Sequence, residues 1–283
     1  MIKITSDSTC DLSPELIARY DVGILPLNIV LDDKSYQDGR DISPDEIYAW
    51  SDEHNTTPKT SACSVEQAAS FFKQYLDQGD DVVSFSISES MSSSISSMML
   101  GAKSLKAEGR VTVIDSANLS TGVGHLVIEA AIMAKEGKSA QEIAQRIEEL
   151  KPRVRASFVV DTLTYLHRGG RCSGVAALVG GVLKLHPQIN VANGKMAPDK
   201  KFRGKMNRVI LNYAKELEPN LLKAKPDRVF ITHSGCDQAI LDEVKAYLES
   251  LHHFEEILIT RAGGVISSHC GPGTLGVLYI DGE

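Results

Sequence analysis

The stretch SISESMSSSISSMM, residues 86–99, decides how the chain is read. Serine-rich composition without periodicity describes a tether, whereas an apolar pattern entering and leaving it describes a folded turn. Upstream, DDVVSFSIS places Val82, Val83, Phe85 and Ile87 in a short apolar run bounded by acidic residues, the length and content of a strand buried in a sheet. Downstream, Ile95, Met98, Met99, Ala102 and Leu105 recur at helical spacing, with GlyArg at 109–110 beyond the last turn. The serines therefore join a strand to a helix. Ser92, Ser93 or Ser94 is the expected N-cap, because a hydroxyl there accepts from the first free N–H groups of the helix.

The same unit recurs on both sides. IKIT at 2–5 leads into SDSTCDLSPELIARY, where Ser13 caps, Pro14 takes the first helical position and Glu15 favours the positive end of the dipole. After a less regular section containing LPLNIVL, KTSACSVEQAASFFKQYL carries Ser64 and Gln67 at capping-box spacing. VTVID at 111–115 enters the loop SANLSTGVG and the apolar helix HLVIEAAIMAKEG, with Gly137 at its C-terminal cap. Strands alternating with helices imply parallel pairing. In such sheets the strand-to-helix loops gather at the carboxyl edge, where ligands bind. Here those loops are SDSTCD, SISESMSSS and DSANLSTG, with KTSACS beside them.

The second half begins after KPRVRAS. ASFVVD reads as a strand, LTYLHRGG as a short helix ended by Gly169 and Gly170, and GVAALVGGVLKL as an almost wholly apolar segment. QINVANGKMAP has the AsnGly hairpin turn at 193–194. RVFITHSGCDQAILDEVKAYLESL and EILITRAGG add two more units before the terminal strand LGVLYI. The expected fold is two-domain α/β. Residues 1–155 form a parallel sheet flanked by helices in three layers, and residues 156–283 an α/β domain with a mixed sheet.

Composition excludes several functions. A net charge of −7 offers no basic footprint for nucleic acid. No segment is apolar for long enough to span a bilayer, and the opening MIKITSDSTCD lacks the basic and apolar regions of a signal peptide. A cytoplasmic protein without stable membrane insertion is expected. Five cysteines (Cys10, Cys63, Cys172, Cys236, Cys270), odd in number, scattered and never in CxxC spacing, fit reduced thiols better than disulfide or zinc frameworks.

GPGTLG at 271–276 matches GxGxxG, but the dinucleotide fingerprint needs a βαβ unit after it and only seven residues remain, so a tight turn is expected. Neither GxxxxGK[ST] nor GxSxG occurs. His269 reads as part of a loop, SSHCGPG, next to Cys270; taken alone it is most simply a loop histidine satisfied by a backbone carbonyl, and as a functional group it would pair with hydroxyls from elsewhere rather than with Cys270, since neighbours in an extended chain face opposite ways. Arg171 in HRGGRCSG and Arg203 in KKFRGK read as surface charges that an anionic ligand would give a shared purpose.

Six segments in order, SDSTCDLS, KTSACS, MSSSISS, DSANLSTG, YLHRGGRCSG with VLKLHP, and SSHCGPGTLGVLY, resemble the DegV family of bacterial fatty-acid-binding proteins across essentially the whole chain. The resemblance implies two α/β domains with a long-chain fatty acid buried between and within them. It also implies a non-catalytic carrier, with no cofactor beyond the lipid and no metal. Such a carrier presents the fatty-acid carboxylate to the separate ATP-binding subunit of a fatty acid kinase and holds the acyl phosphate product. Thr60 and Ser92 match the hydroxyls that bind the carboxylate, His269 matches the histidine of the HxGPG loop, and Arg171 the arginine of GGR. Ser61 and Ser93 are neighbouring candidates, and Arg203 is a candidate for meeting the phosphate or the kinase. The chain departs from the family at Cys63, where proline is usual, at Ser93, where glycine is usual, and at His186, where lysine precedes Pro187.

Physical chemistry suits such a ligand. About fourteen buried methylenes at about 0.8 kcal/mol each give an upper estimate of roughly 11 kcal/mol. The buried carboxylate needs hydrogen bonds to replace its hydration, and hydroxyls and helix N-termini supply them. GVAALVGGVLKL is a candidate tunnel wall or an ordinary core helix. The alternatives are a self-sufficient acyl hydrolase or thioesterase using a serine or Cys270, and a small-metabolite binder.

Overall fold

The structure, a computed structural model, describes residues 1–172, 174 and 185–282 of the chain. Strand β1 (Ile2–Asp7) runs through a 3-10 turn (Ser8–Cys10) into helix α1 (Pro14–Tyr20), whose N-cap Ser13 accepts from the Leu16 amide at 3.4 Å. β2 (Gly23–Leu25) then pairs parallel to β1. The section around LPLNIVL contains β3 (Asn28–Leu31), β4 (Lys34–Gln37), α2 (Pro44–His54) and β5 (Lys59–Ser61). β3 holds β4 and β5 antiparallel on either side, a three-stranded sheet absent from the sequence-based expectation. Strands of three or four residues are too short for alternation to show in the sequence. KTS is thus an edge strand rather than a loop.

α3 (Val65–Leu76) starts with the expected capping box: the Gln67 amide donates to Ser64 Oγ at 3.1 Å, and the Ser64 amide to Gln67 Oε1 at 2.7 Å. β6 (Asp81–Ser86), α4 (Ser94–Ser104), β7 (Val111–Asp115) and α5 (Thr121–Lys135) complete a four-stranded parallel sheet of order β2-β1-β6-β7. α6 (Ala140–Leu150) follows. Strand order reverses between β1 and β6, the switch point at which such sheets leave a crevice beyond their carboxyl ends.

β8 (Val154–Val159), α7 (Thr164–Gly169), β9 (Leu185–Ala192), β10 (Lys195–Arg203), α8 (Met206–Glu216), α9 (Glu218–Leu221), β11 (Arg228–His233), α10 (Gln238–Ser250), β12 (Glu256–Arg261), α11 (Gly264–Cys270) and β13 (Leu275–Ile280) make up the second half. Its six-stranded sheet, β10-β9-β8-β13-β11-β12, is mixed, with β11 and β12 parallel and the other neighbours antiparallel. Asn193 and Gly194 turn the β9–β10 hairpin with φ of 50° and 74°, as a type I′ turn requires. In GPGTLG the glycines at 271 and 273 have φ of 76° and 73° and turn the chain from α11 into β13, in keeping with the tight turn expected. The tunnel-wall expectation for GVAALVGGVLKL falls on residues 174–185, of which 175–184 lie outside the described residues.

Helix α5 explains the union of the two sheets. Residues from Thr121 to Ile128 are buried, with Ala130 and Ala131, because the helix lies between the parallel and the mixed sheet and is apolar nearly all round. Two of its polar side chains reach across that interface. His125 Nε2 lies 3.0 Å from the Leu278 carbonyl, and Glu129 accepts from Arg228 at 2.6 Å. A second core, around Tyr213 and Val244, lies between the mixed sheet and α8 and α10, and a third, around Phe72 and Met98, beneath the small sheet and α3 and α4. The serine loop also ties the halves together: Ser88 Oγ donates to the Gly194 carbonyl at 2.7 Å.

Candidate functional site

The serine loop leaves the carboxyl end of β6 at the switch point. Ser93 is the N-cap residue of α4, but its side chain makes no capping bond. Instead the Ser94 amide donates to Ser92 Oγ at 3.2 Å, and the two hydroxyls lie 2.8 Å apart. The cap expected of one of three serines is therefore a local Ser92–Ser94 pair, which leaves Ser92 on the wall of a cavity.

That cavity, of about 250 Å³, brings together Thr60 and Ser61 from β5, Ser92 and Ser93 from the loop, His269 from α11, and Arg171. The rest of its wall is apolar, with Leu27, Ile87, Met91, Leu119, Val265, Ile266, Met196 and Cys270. Leu119, Ile266 and Cys270 also border a smaller void of about 30 Å³, walled by Phe158 and Leu278 between the two sheets. The hydroxyls around that void are turned away into other bonds: Ser120 to Asp11, Ser234 to the Gly271 carbonyl, Thr274 to the Cys270 carbonyl. The cavity thus sets a group of polar side chains against an apolar wall. Arg203, at the end of β10, is not among the residues lining it.

His269 does not sit in a loop. It occupies the last turn of α11, and the serines before it, which read as loop residues, donate back to the helix's own chain: Ser268 to Gly264 at 2.6 Å and Ser267 to Ala262 at 3.2 Å. From there its Nε2 meets Thr60 Oγ1 at 2.7 Å, across 209 positions of sequence. Burial, seconded by the Arg171 guanidinium, pushes the imidazole down to about 4, so it is neutral at physiological pH. Burial also pushes the neighbouring Cys270 up to about 12, which keeps it a thiol and a poor nucleophile. Arg171 Nη1 donates to the Gly169 carbonyl at 2.7 Å.

Sequence reasoning missed what holds α11 in place. The Gly263 amide donates to Asp11 at 2.8 Å and the Gly264 amide to Asp38 at 2.7 Å, so two buried carboxyl groups from the first half cap this helix. A third, Asp7, accepts from the Ile87 amide at 2.9 Å and bridges the switch point. The first and third belong to SDSTCD, already assigned to the ligand edge; their role is invisible without the partners. Burial pushes Asp11 up to about 8 and Asp7 up to about 6, against the pull of their hydrogen bonds. A carboxyl whose folded pKa is raised holds its proton more tightly folded than unfolded. Its stability contribution is complete below the ordinary value of 3.8 and is lost as pH rises toward about 8. Asp11→Asn is expected to flatten that decline, read as a smaller difference in urea stability between about pH 5 and about pH 8 than in the parent chain. An identical pH dependence contradicts it.

Two of the positions at which the resemblance expects another residue are accommodated locally. Cys63 is 2% exposed, in the core beneath the small sheet, and the two ring nitrogens of His186 lie 3.2 Å from the Val160 carbonyl and 3.1 Å from the Gly204 carbonyl. A larger cleft of about 540 Å³ lies elsewhere, lined by Lys151, Arg155, Asp199, Lys200 and Glu216. Its charges are engaged, Lys151 with Glu148, Arg155 with Asp281, Lys200 with Glu216 and Asp199 with Asn190, and they alternate with apolar groups such as Val154, Val191, Leu217 and Tyr279 along its wall. Among the described residues no cluster of side chains suits a metal ion, and no helix is long and apolar enough to cross a membrane.

Comparison with known proteins agrees with this architecture. A curated DegV domain-containing protein of Caldanaerobacter subterraneus is 33% identical over 280 residues, 98% of each chain. Among solved structures, a DegV family protein from Thermus thermophilus, described by its fatty acid binding, superposes with a TM-score of 0.90 at 32% identity over 99% of both chains. A protein from Eubacterium ventriosum described as binding stearic acid gives 0.86 at 32% identity, over 99% of this chain and 98% of its own. The family model described as "Uncharacterised protein, DegV family" matches residues 1–282, and with that match the chain belongs to the DegV family.

Proposed function

We propose that this protein binds a long-chain fatty acid, with the carboxylate at Thr60, Ser92 and His269 and the acyl chain along the apolar wall, and presents the carboxylate to a separate ATP-binding kinase subunit. The observation that carries the reading is the cavity itself, where two hydroxyls and a neutral imidazole share the lining with an apolar wall. Hydrogen bonds from the two hydroxyls to a charged partner contribute about 1.5 to 3 kcal/mol each, His269 acting through Thr60, and they orient the head group while the chain supplies most of the affinity. Ser61 and Ser93 flank the head group, Arg171 stands at its edge, and Arg203 is left for the kinase or the phosphate. The same reading takes residues 1–155 and 156–283 as the two domains, with the lipid between and within them.

The hydrolase alternative loses support at the same residues. An activated hydroxyl needs a base that a third group orients. Ser92 pairs with Ser94 rather than a histidine, and the far nitrogen of His269 has no hydrogen-bond partner among the described residues. Organic extraction of the purified protein is expected to release long-chain fatty acid, identified by mass spectrometry. Adding ATP and a bacterial fatty acid kinase ATP-binding subunit should convert the bound acid to acyl phosphate. A protein that emerges empty and does not take up long-chain acids overturns the binding reading; uptake without phosphorylation overturns only the carrier role.

A further inference from the structure

We propose that Gly169 is a positioning residue that sets the proton of His269 on Nε2 and thereby makes Thr60 a hydrogen-bond donor toward the cavity. This rests on the fatty-acid reading of that cavity and concerns how its head-group end is built.

The two glycines that end α7 have separate reasons to be glycine. Gly170 has a φ of 65° and closes the helix by donating to the Leu166 and His167 carbonyls, a left-handed cap that favours glycine. Gly169 is the last residue of the helix and is not among the residues of positive φ, so its backbone would accept any residue, and alanine would be the better helix former. The constraint is His269. A Cβ at position 169 would collide with its Nδ1 and stand 3.3 Å from Cε1 and 3.4 Å from Cγ. The imidazole therefore rests edge-on against a bare methylene.

That contact decides the tautomer. Nδ1 is buried and has no hydrogen-bond partner among the described residues, whereas Nε2 has Thr60 Oγ1 at 2.7 Å. A neutral imidazole has one N–H to place. On Nδ1 it would be a buried donor pressed against a methylene; on Nε2 it is satisfied by Thr60, and the orphan is a lone pair, the more tolerable of the two. With Nε2–H donating, Thr60 Oγ1 has accepted its bond and its own proton is free to point into the cavity. The opposite tautomer would use the threonine proton on Nε2 and turn an oxygen lone pair toward an arriving carboxylate. The same residue holds the nearby cation, since the Gly169 carbonyl accepts from Arg171.

The test is nitrogen-15 NMR of the imidazoles in the full chain, first lipid-free and then titrated with palmitate. The expected result is a His269 protonated on Nε2 and bare on Nδ1 before any lipid is added. Gly169→Ala is expected to shift these signals and weaken palmitate at least about tenfold. In a His269→Ala background the same substitution is expected to cost no further affinity and no melting temperature, since the group it collides with is gone. A proton found on Nδ1 overturns the proposal. So does Gly169→Ala with unchanged ring signals and parental affinity, or a double variant that fails to fold where His269→Ala folds. Because the first readout needs no ligand, an Nε2–H histidine in a protein that ignores palmitate supports the tautomer assignment and retires only the ligand.

Discussion

Glu129→Gln is expected to lower the free energy of unfolding by about 3 to 5 kcal/mol, the usual cost of removing one partner of a buried ion pair and stranding the other. Glu129 projects from α5 to Arg228 at the start of β11, Oε1 to Nη1 at 2.6 Å, with side-chain exposures of 13% and 6%. Lys225 adds a contact at 2.9 Å but is itself 30% exposed and also bound to Asp227, so it has other partners when the carboxylate goes. Arg228 has almost none: its next carboxylate, Asp227, lies 3.8 Å away. Burial alone would raise the Glu129 carboxyl; Arg228 and Lys225 outweigh it and hold the group below the usual range. The contribution of this pair is therefore present above the ordinary carboxylate pKa and lost as pH falls through the lower folded value. Urea denaturation near neutral pH reads the effect. Glu129→Leu with Arg228→Met, which removes both charges, should recover most of the loss, and a single variant as stable as the parent would show that the bridge between α5 and the mixed sheet is not an energetic one.

On the proposed reading, Ser92→Ala is expected to weaken binding of a long-chain fatty acid by about 1.5 to 3 kcal/mol, or roughly 10- to 150-fold, the worth of one hydrogen bond to a charged group. Ser92 is chosen from the serines of its loop because its hydroxyl lines the cavity with the Ser94 amide already fixing its orientation. Ser88 is committed to the hairpin tip at Gly194 and Ser94 to Ser92 itself. Thr60→Val belongs to the same class and also strands His269 Nε2, since that nitrogen has the threonine as its partner. Calorimetric titration with palmitate measures both. Parental affinity in Ser92→Ala removes this serine from the head-group site, whatever the fate of the lipid assignment.

Much of the fold was legible. The capping box at Ser64 and Gln67, Ser13 before Pro14, the AsnGly hairpin turn and the apolar strands are formed where the sequence puts them, because each depends on a few neighbouring residues. The small sheet of β3, β4 and β5 escaped, being made of strands too short to declare a period. So did the helical state of His269, since serines that favour turns also satisfy themselves on a helix's own carbonyls. Asp38, in the unpatterned section, gave no local sign that it caps a helix 226 positions away.

By itself the sequence determined the succession of strands and helices, the loops that end at the carboxyl edge of a parallel sheet, and through its resemblance the residues to look for there. Only the tertiary structure decided that Thr60 meets His269, that Ser92 faces the cavity while Ser88 holds the other half, that Arg203 stays off the wall, and that Gly169 and Gly170 are glycine for different reasons. The division has a physical cause. Backbone dihedrals, caps and amphipathic periods are settled among residues within a turn or two of one another, so local pattern records them. The charge of a carboxyl, the tautomer of an imidazole and the direction of a hydroxyl depend on burial and on groups brought from distant segments, which exist only once the chain has folded.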